Sequence, residues 1–212
     1  MNLPGAELLD TPHLLALAAA LGWASGLRLY AVLFITGAAG YLGWIPLPHG
    51  LHLLQHPAML AASGFMFAVE FFADKIPFVD SIWDLVHTAI RIPAGAALAA
   101  GAMGADGATM STVAALIGGT LAATAHATKL TTRAAVNASP EPFTNVAVSL
   151  FEDGLVMGTL WLATNHPLAF AVALGLALLV SALLLVLLLR FFKAVAGRVG
   201  RFFSGMPLPK EI

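Results

Sequence analysis

EFFADKIPFVDSIWDLVHTAIR, residues 70–91, gathers Glu70, Asp74, Lys75, Asp80, Asp84, His87 and Arg91 into one stretch of a chain that is 59% hydrophobic and 10% charged. The apolar segments on either side are long enough to cross a bilayer. Ionisable groups at or inside such segments cost several kcal/mol unless they are paired or wetted, so they mark a candidate functional site. This stretch decides the fold class. It is the junction of two membrane helices, with the charge turned inward.

Composition agrees. A soluble chain carries roughly a quarter charged residues, far above the fraction here, and the mean hydropathy is +0.89 over 212 residues. Long apolar runs rich in Gly and Ala predict an all-α polytopic membrane bundle. A β-barrel would show alternating segments of about ten residues, and the chain has no such pattern. The absence of cysteine excludes disulfides, thiolate metal sites and cysteine catalysis. A net charge of −1 argues against a nucleic-acid partner. The opening MNLPGAELLD has no basic region and does not read as a cleaved signal peptide.

Working outward, residues 12–44 form one apolar region too long for a single upright span of about 20 residues. Gly22-Trp23-Ala24-Ser25-Gly26 is the expected break, with 12–21 as a short interfacial or half-inserted helix and 24–43 as the first full span; one tilted, kinked helix is the alternative. Arg28 lies just past that break and can share a helical face with Ser25 and Thr36. Three prolines and three histidines (His49, His52, His56) make 44–57 a connection. Further spans are expected at 57–73, 79–103, 111–136, 143–164 and 168–189, six in all. The last is almost pure Leu, Ala and Val and should face lipid. Residues 1–189 then form a single transmembrane domain, and 190–212, with Arg190, Lys193, Arg198 and Arg201, a basic amphipathic tail against anionic headgroups.

The positive-inside rule places that tail in the cytoplasm. With six spans, the N-terminus and the 74–79 and 137–142 turns fall on the same side as the tail. The connections at 44–57, 104–110 and 165–167 contain no Lys or Arg, which suits the outer face.

At about 100° per residue, Asp80, Asp84, His87 and Arg91 fall within about 60° of one another. His126, Lys129, Arg133 and Asn137 form a second stripe, and Asn145, Ser149 and Glu152 a third, with Asp153 to one side. Glu70 and Asp74 lie one turn apart on the span before. Lipid would not tolerate such stripes facing outward, so they should converge on a shared polar cavity, open to the cytoplasm and ending near the bilayer centre. A balanced ion-pair network that merely locks helix register is the competing reading. Buried pairs are poor stabilisers, however, and registration needs fewer of them.

ASGLRLY (24–30), VEFFADKIPFVDSIWDLVHTAIRIPAG (69–95) and HATKLTTRAAVNASPEPFTNVAVSLFEDGLV (126–156) also carry a resemblance. The chain resembles an uncharacterised bacterial integral-membrane family, a domain of unknown function, over about residues 15–190. The resemblance implies a small multi-span inner-membrane protein and brings no activity, substrate or site residues with it.

The residues therefore speak alone. Their first reading is a transporter or channel for a small solute or ion, a cation with proton coupling, because the interior carboxylates outnumber the fixed positive charges. The small size of the chain suggests a homo-oligomer. The second reading is an intramembrane enzyme acting on a lipid phosphate. There Asp84, His87, His126 and Glu152 are the candidates to hold a divalent cation, and Lys129 and Arg133 to clamp the phosphate. A structural subunit is the third.

Overall fold

Asp10 starts the first helix: its Oδ1 accepts a hydrogen bond from the His13 backbone N–H at 3.1 Å, an N-cap ahead of a long apolar run. The computed structural model describes residues 10–76, 78–104, 107–138 and 142–204. Among these, the helices are α1 (Thr11–Tyr41), α2 (Pro57–Ala73), α3 (Val79–Ala102), α4 (Ala108–Asn137), α5 (Pro142–Asn165) and α6 (Pro167–Ser204). A 3-10 turn, His49–Gln55, precedes α2, and the described residues contain no strand. Proline stands first in α2, α5 and α6, where its missing N–H costs nothing. The all-helical, multi-pass architecture expected from composition is present.

Five helices (α1, α3, α4, α5 and α6) are long and apolar enough to cross a membrane, and the 3-10 turn with α2 makes a sixth candidate, bent by 70°. The 17 residues of α2 reach about 25 Å, short of the roughly 30 Å hydrocarbon core.

The largest departure from expectation is in α1. Helix continues straight through Gly22–Gly26, and the non-helical residue is Arg28, at φ −146° and ψ 86°. The two glycines, one turn apart, form a packing face instead. A Cβ on Gly22 would lie 2.6 Å from the Gly118 Cα, and one on Gly26 would overlap the Ala122 carbonyl of α4. In lipid a broken helix leaves backbone groups without partners, so glycine is used there for close approach rather than for interruption.

At Arg28 the chain turns back on itself. The second limb of α1 lays Gly37 against Leu54 of the 3-10 turn, and the same turn presses Gly50 against Gly101 near the end of α3. That is the end where the first limb enters, with Leu15 sharing a crevice with Met103 and Met110. Leu17 and Thr36 line one cavity of about 430 Å³, although an unbroken helix would hold them about 28 Å apart. Residues 11–27 and 29–41 are thus the limbs of a hairpin with Arg28 at its tip. The first helix is broken, as expected, but the break falls at Arg28 rather than within Gly22–Gly26, and the limbs fold back on each other instead of forming a half-inserted helix and one full span.

The hairpin reassigns an end. Thr11 lies with the 3-10 turn and the α3–α4 and α5–α6 connections, opposite the α2–α3 turn and the last turn of α4. The six-span count had placed the N-terminus with those turns. A hairpin adds one more pass, which reverses the side.

α1 is the core of the bundle, with every other helix packed against it. Its first limb is buried from Ala16 to Leu27 except at Ala19, whereas the apolar window of α6 is 6% buried, as a lipid-facing helix should be. α6 also runs unbroken to Ser204, so no interruption of the backbone separates the span from the start of the expected tail at 190. Arg190 and Lys193 are exposed on it. Pro77, residues 139–141 of the second expected turn, Asp106 and residues 205–212 of the tail lie outside the described residues.

Candidate functional site at the tip of the hairpin

Arg28 stands where three carboxylates meet. Its Nε lies 2.9 Å from Asp153 Oδ1, its Nη1 3.1 Å from Asp74 Oδ2, and its Nη2 3.8 Å from Glu152 Oε2. Nη2 also donates to the Ser149 hydroxyl at 2.7 Å and to its carbonyl at 3.0 Å. The extended backbone at Arg28 aims this guanidinium away from its own helix, into the space between α2 and α5. The sequence reading left Arg28 out of the candidate set. Its signal was that it is the one charged residue in the apolar run 12–44.

Lys129 binds the other side of the break. Its Nζ donates to the Leu27 carbonyl at 3.1 Å and to Asp74 Oδ2 at 2.6 Å, with Asp84 Oδ1 at 3.2 Å and Glu152 Oε2 at 3.5 Å. A helix that stops leaves its last carbonyls unpaired and carries partial negative charge there, so a cation at Leu27 is the natural complement. Asp74 caps the end of α2 and joins Arg28 to Lys129 through one oxygen.

Arg91 and Arg133 extend the network both ways. Arg91 donates to Glu70 Oε1 at 2.7 Å and to Asp84 Oδ1 at 2.6 Å. Arg133 donates to Glu152 Oε2 at 2.8 Å, to the Asp74 carbonyl at 3.0 Å and to Asn145 Oδ1, with Asp80 Oδ2 at 3.6 Å. Asn137 donates from Nδ2 to Asp80 Oδ1 and to the Ser81 hydroxyl, both at 2.9 Å. Lys75 reaches the Ser149 hydroxyl at 3.3 Å and Asp153 at 3.8 Å, its ammonium resting over the Phe71 ring. Ser81, Lys75 and Thr88 had no place in the sequence-stripe candidates; each joins through a contact that crosses between helices or turns.

The two midspan histidines part company. His126 Nδ1 lies between two groups, the Arg91 guanidinium at 3.3 Å and the Gly26 carbonyl at 3.2 Å. Its Nε2 meets the Thr88 hydroxyl at 2.7 Å, and that hydroxyl donates to the Asp84 carbonyl at 3.0 Å. His126 thereby ties α4 to both α1 and α3. His87 lies outside the ion pairs. Its ring stacks on Trp83 at 4.1 Å and donates from Nδ1 to the Trp83 carbonyl, while Tyr30 meets it edge-on. The expectation that His87 shares the ionic site with His126 is corrected by that stack.

Two further expectations change. Arg28, Glu70, Asp74, Asp80, Asp84, Arg91 and Arg133 all have no exposed surface, so the stripes interlock as a closed ionic core rather than line a cavity open at one face. Nor do Asp84, His87, His126 and Glu152 converge: among the described residues no three His, Asp or Glu groups are placed to hold a metal ion. The four carboxylates and histidines are each turned to a guanidinium, an ammonium or a backbone carbonyl. Glu152 and Asp153, expected to point apart, both reach Arg28.

Six acceptor atoms in the core are left over. Glu70 Oε2, Asp74 Oδ1, Asp84 Oδ2, Asn137 Oδ1 and both Asp153 oxygens are buried and accept no hydrogen bond among the described residues, although Asp153 is ion-paired with Arg28 and Lys75. Such atoms cost free energy as they stand. They are also the places where a proton or a small cation would be held.

A family model described as Domain of unknown function (DUF4126) matches residues 15–188. No curated protein and no solved structure matches the chain.

Proposed function

The chain belongs to the DUF4126 family, whose description carries no activity, and from the geometry alone we propose that it is a transporter or channel moving a small cation, with proton coupling, through the ionic core. One observation carries the reading: a helix interrupted at Arg28 inside a buried cluster whose charges do not balance. Glu70, Asp74, Asp80, Asp84, Glu152 and Asp153 face Arg28, Lys75, Arg91, Lys129 and Arg133. Counted without His126, the six carboxylates exceed the five cations by one.

A buried cluster in a low-dielectric interior is driven toward neutrality, because an uncompensated charge there costs several kcal/mol. One proton or one monovalent cation completes the set. Competition between those two for one vacancy is coupling in its simplest form. Interrupted helices with their ends turned into the bundle are the expected anatomy of such a site. The outward basic stretch of α6 fits a C-terminus in the cytoplasm of a bacterial inner membrane.

Reconstitution tests this. In proteoliposomes under a proton gradient, the wild-type chain should take up ²²Na⁺ or ⁸⁶Rb⁺. Glu152→Gln, which neutralises the set without a guest, should cut that uptake at least tenfold while eluting as a folded protein. Uptake by Glu152→Gln equal to the wild type, or none in the wild type, would sink the proposal and leave the core as a device for helix registration.

A further inference from the structure

α4 and α5 scarcely touch each other, and α6 leans across the gap. Beneath it lies a cavity of about 310 Å³, walled almost entirely by apolar groups and floored by Glu152 and Lys129 of the ionic core. Trp23 and Phe151 stand on its sides, and Ser181 of α6 looks into it. Three polar groups of its lining are unmatched, one of them the buried Trp23 Nε1–H. Glu152 gives Oε2 to Arg133, whereas its Oε1 accepts no hydrogen bond among the described residues, although the residue is 5% exposed. The hydroxyl of Ser181, buried in the Leu-, Ala- and Val-rich part of α6, makes no hydrogen bond among the described residues either.

We propose that this chamber binds a lipophilic organic cation that enters sideways from the bilayer, its charged head at Glu152 Oε1 and its tail between α4, α5 and α6. The inference rests on the transport reading above and names a substrate class for the same core. The chemistry of the walls selects it. A free carboxylate oxygen attracts positive charge, and with the core already one positive charge short, an anionic head would add to the imbalance. Trp23 and Phe151 put aromatic rings in the lining, the kind of surface that attracts a quaternary ammonium. The apolar walls reject a small hydrated ion but take an alkyl chain at about 0.8 kcal/mol per methylene. A ligand held here touches Glu152, and through it Arg133, Lys129 and Arg28, so the site can sense whether the core is neutral.

Equilibrium dialysis of the purified full chain tests this, with hexyltrimethylammonium as probe. Hexanesulfonate, with the same tail and opposite charge, and tetramethylammonium, the head alone, serve as comparisons. Saturable binding of hexyltrimethylammonium, at least tenfold tighter than either comparison, is expected. Glu152→Gln and Ala177→Trp should each weaken it at least tenfold; Ala177→Trp fills the chamber from α6 and leaves every member of the ionic core in place. Equal binding of the sulfonate, or undiminished binding by Ala177→Trp in monodisperse protein, overturns the proposal. Proton-driven ⁸⁶Rb⁺ uptake without amphiphile binding overturns the chamber and spares the transport reading. Chamber binding without any cation flux does the reverse.

Discussion

Arg28 is held by Asp74, Asp153 and Glu152 while fully buried, and that makes it the most informative single residue. Removing one partner of a buried ion pair costs about 3–5 kcal/mol, because the charge left behind has neither water nor a counter-ion. Arg28→Met is expected to lower stability by that amount, read as the apparent Tm in detergent and as loss of monodisperse protein. Arg28→Lys keeps the charge but loses the fork that spans three carboxylates and a serine, so it should fall between the two. A wild-type Tm for Arg28→Met would show that the cluster carries no net coupling. The histidines make the same point about surroundings. On a helical wheel His87 and His126 look alike; one stacks on Trp83 and the other sits among Arg91, Thr88 and the Gly26 carbonyl.

For the helices, close approach matters more than propensity. α1, α3 and α4 meet through Gly22, Gly26, Gly95, Ala99, Gly118 and Ala122, and this lets Lys129 of α4 reach the Leu27 carbonyl at the break. Gly22→Leu has no room, since the neighbour it meets is the Gly118 backbone rather than a flexible side chain. It should separate α1 from α4, abolish the Lys129–Leu27 bond and yield aggregated or degraded protein. Gly158→Ala is the comparison, with open space around it. That change should be neutral or stabilising by up to about 1 kcal/mol through helix propensity. Circular dichroism melts of the two variants separate a packing role from a general dislike of larger residues. Equal melts would mean that the glycine contact is slack.

At the scale of the whole molecule the hairpin sets the topology. Thr11 and Asn165 lie at one end of the bundle and Ala138 at the other. The chain has no cysteine, so single cysteines report cleanly. His13→Cys and Asn165→Cys should react with a membrane-impermeant maleimide from the same side, and Ala138→Cys, whose side chain is exposed, from the opposite side. A straight α1 predicts His13→Cys paired with Ala138→Cys instead. If the positive-inside rule holds here, as proposed above, the side on which Ala138→Cys reacts is the cytoplasmic one.

Much of this was present in the chain itself. The apolar runs specify helices and a membrane, because lipid leaves a backbone no other way to satisfy its hydrogen bonds. The stripes Asp80–Asp84–Arg91, His126–Lys129–Arg133 and Asn145–Ser149–Glu152 were legible from the 100° period, since a charge cannot face hydrocarbon and each helix must turn its own inward. Which charge meets which could not be read there. Asp153 lies off the stripe of its helix yet approaches Arg28 to 2.9 Å, and Arg28 points into the core only because α1 reverses at it. That reversal is a property of the packed bundle. The glycines that look like a hinge are spent on contact with α4, and a break is tolerated at Arg28 because Lys129, Asp74 and Ser149, distant in sequence, arrive to satisfy the exposed helix end and the guanidinium together.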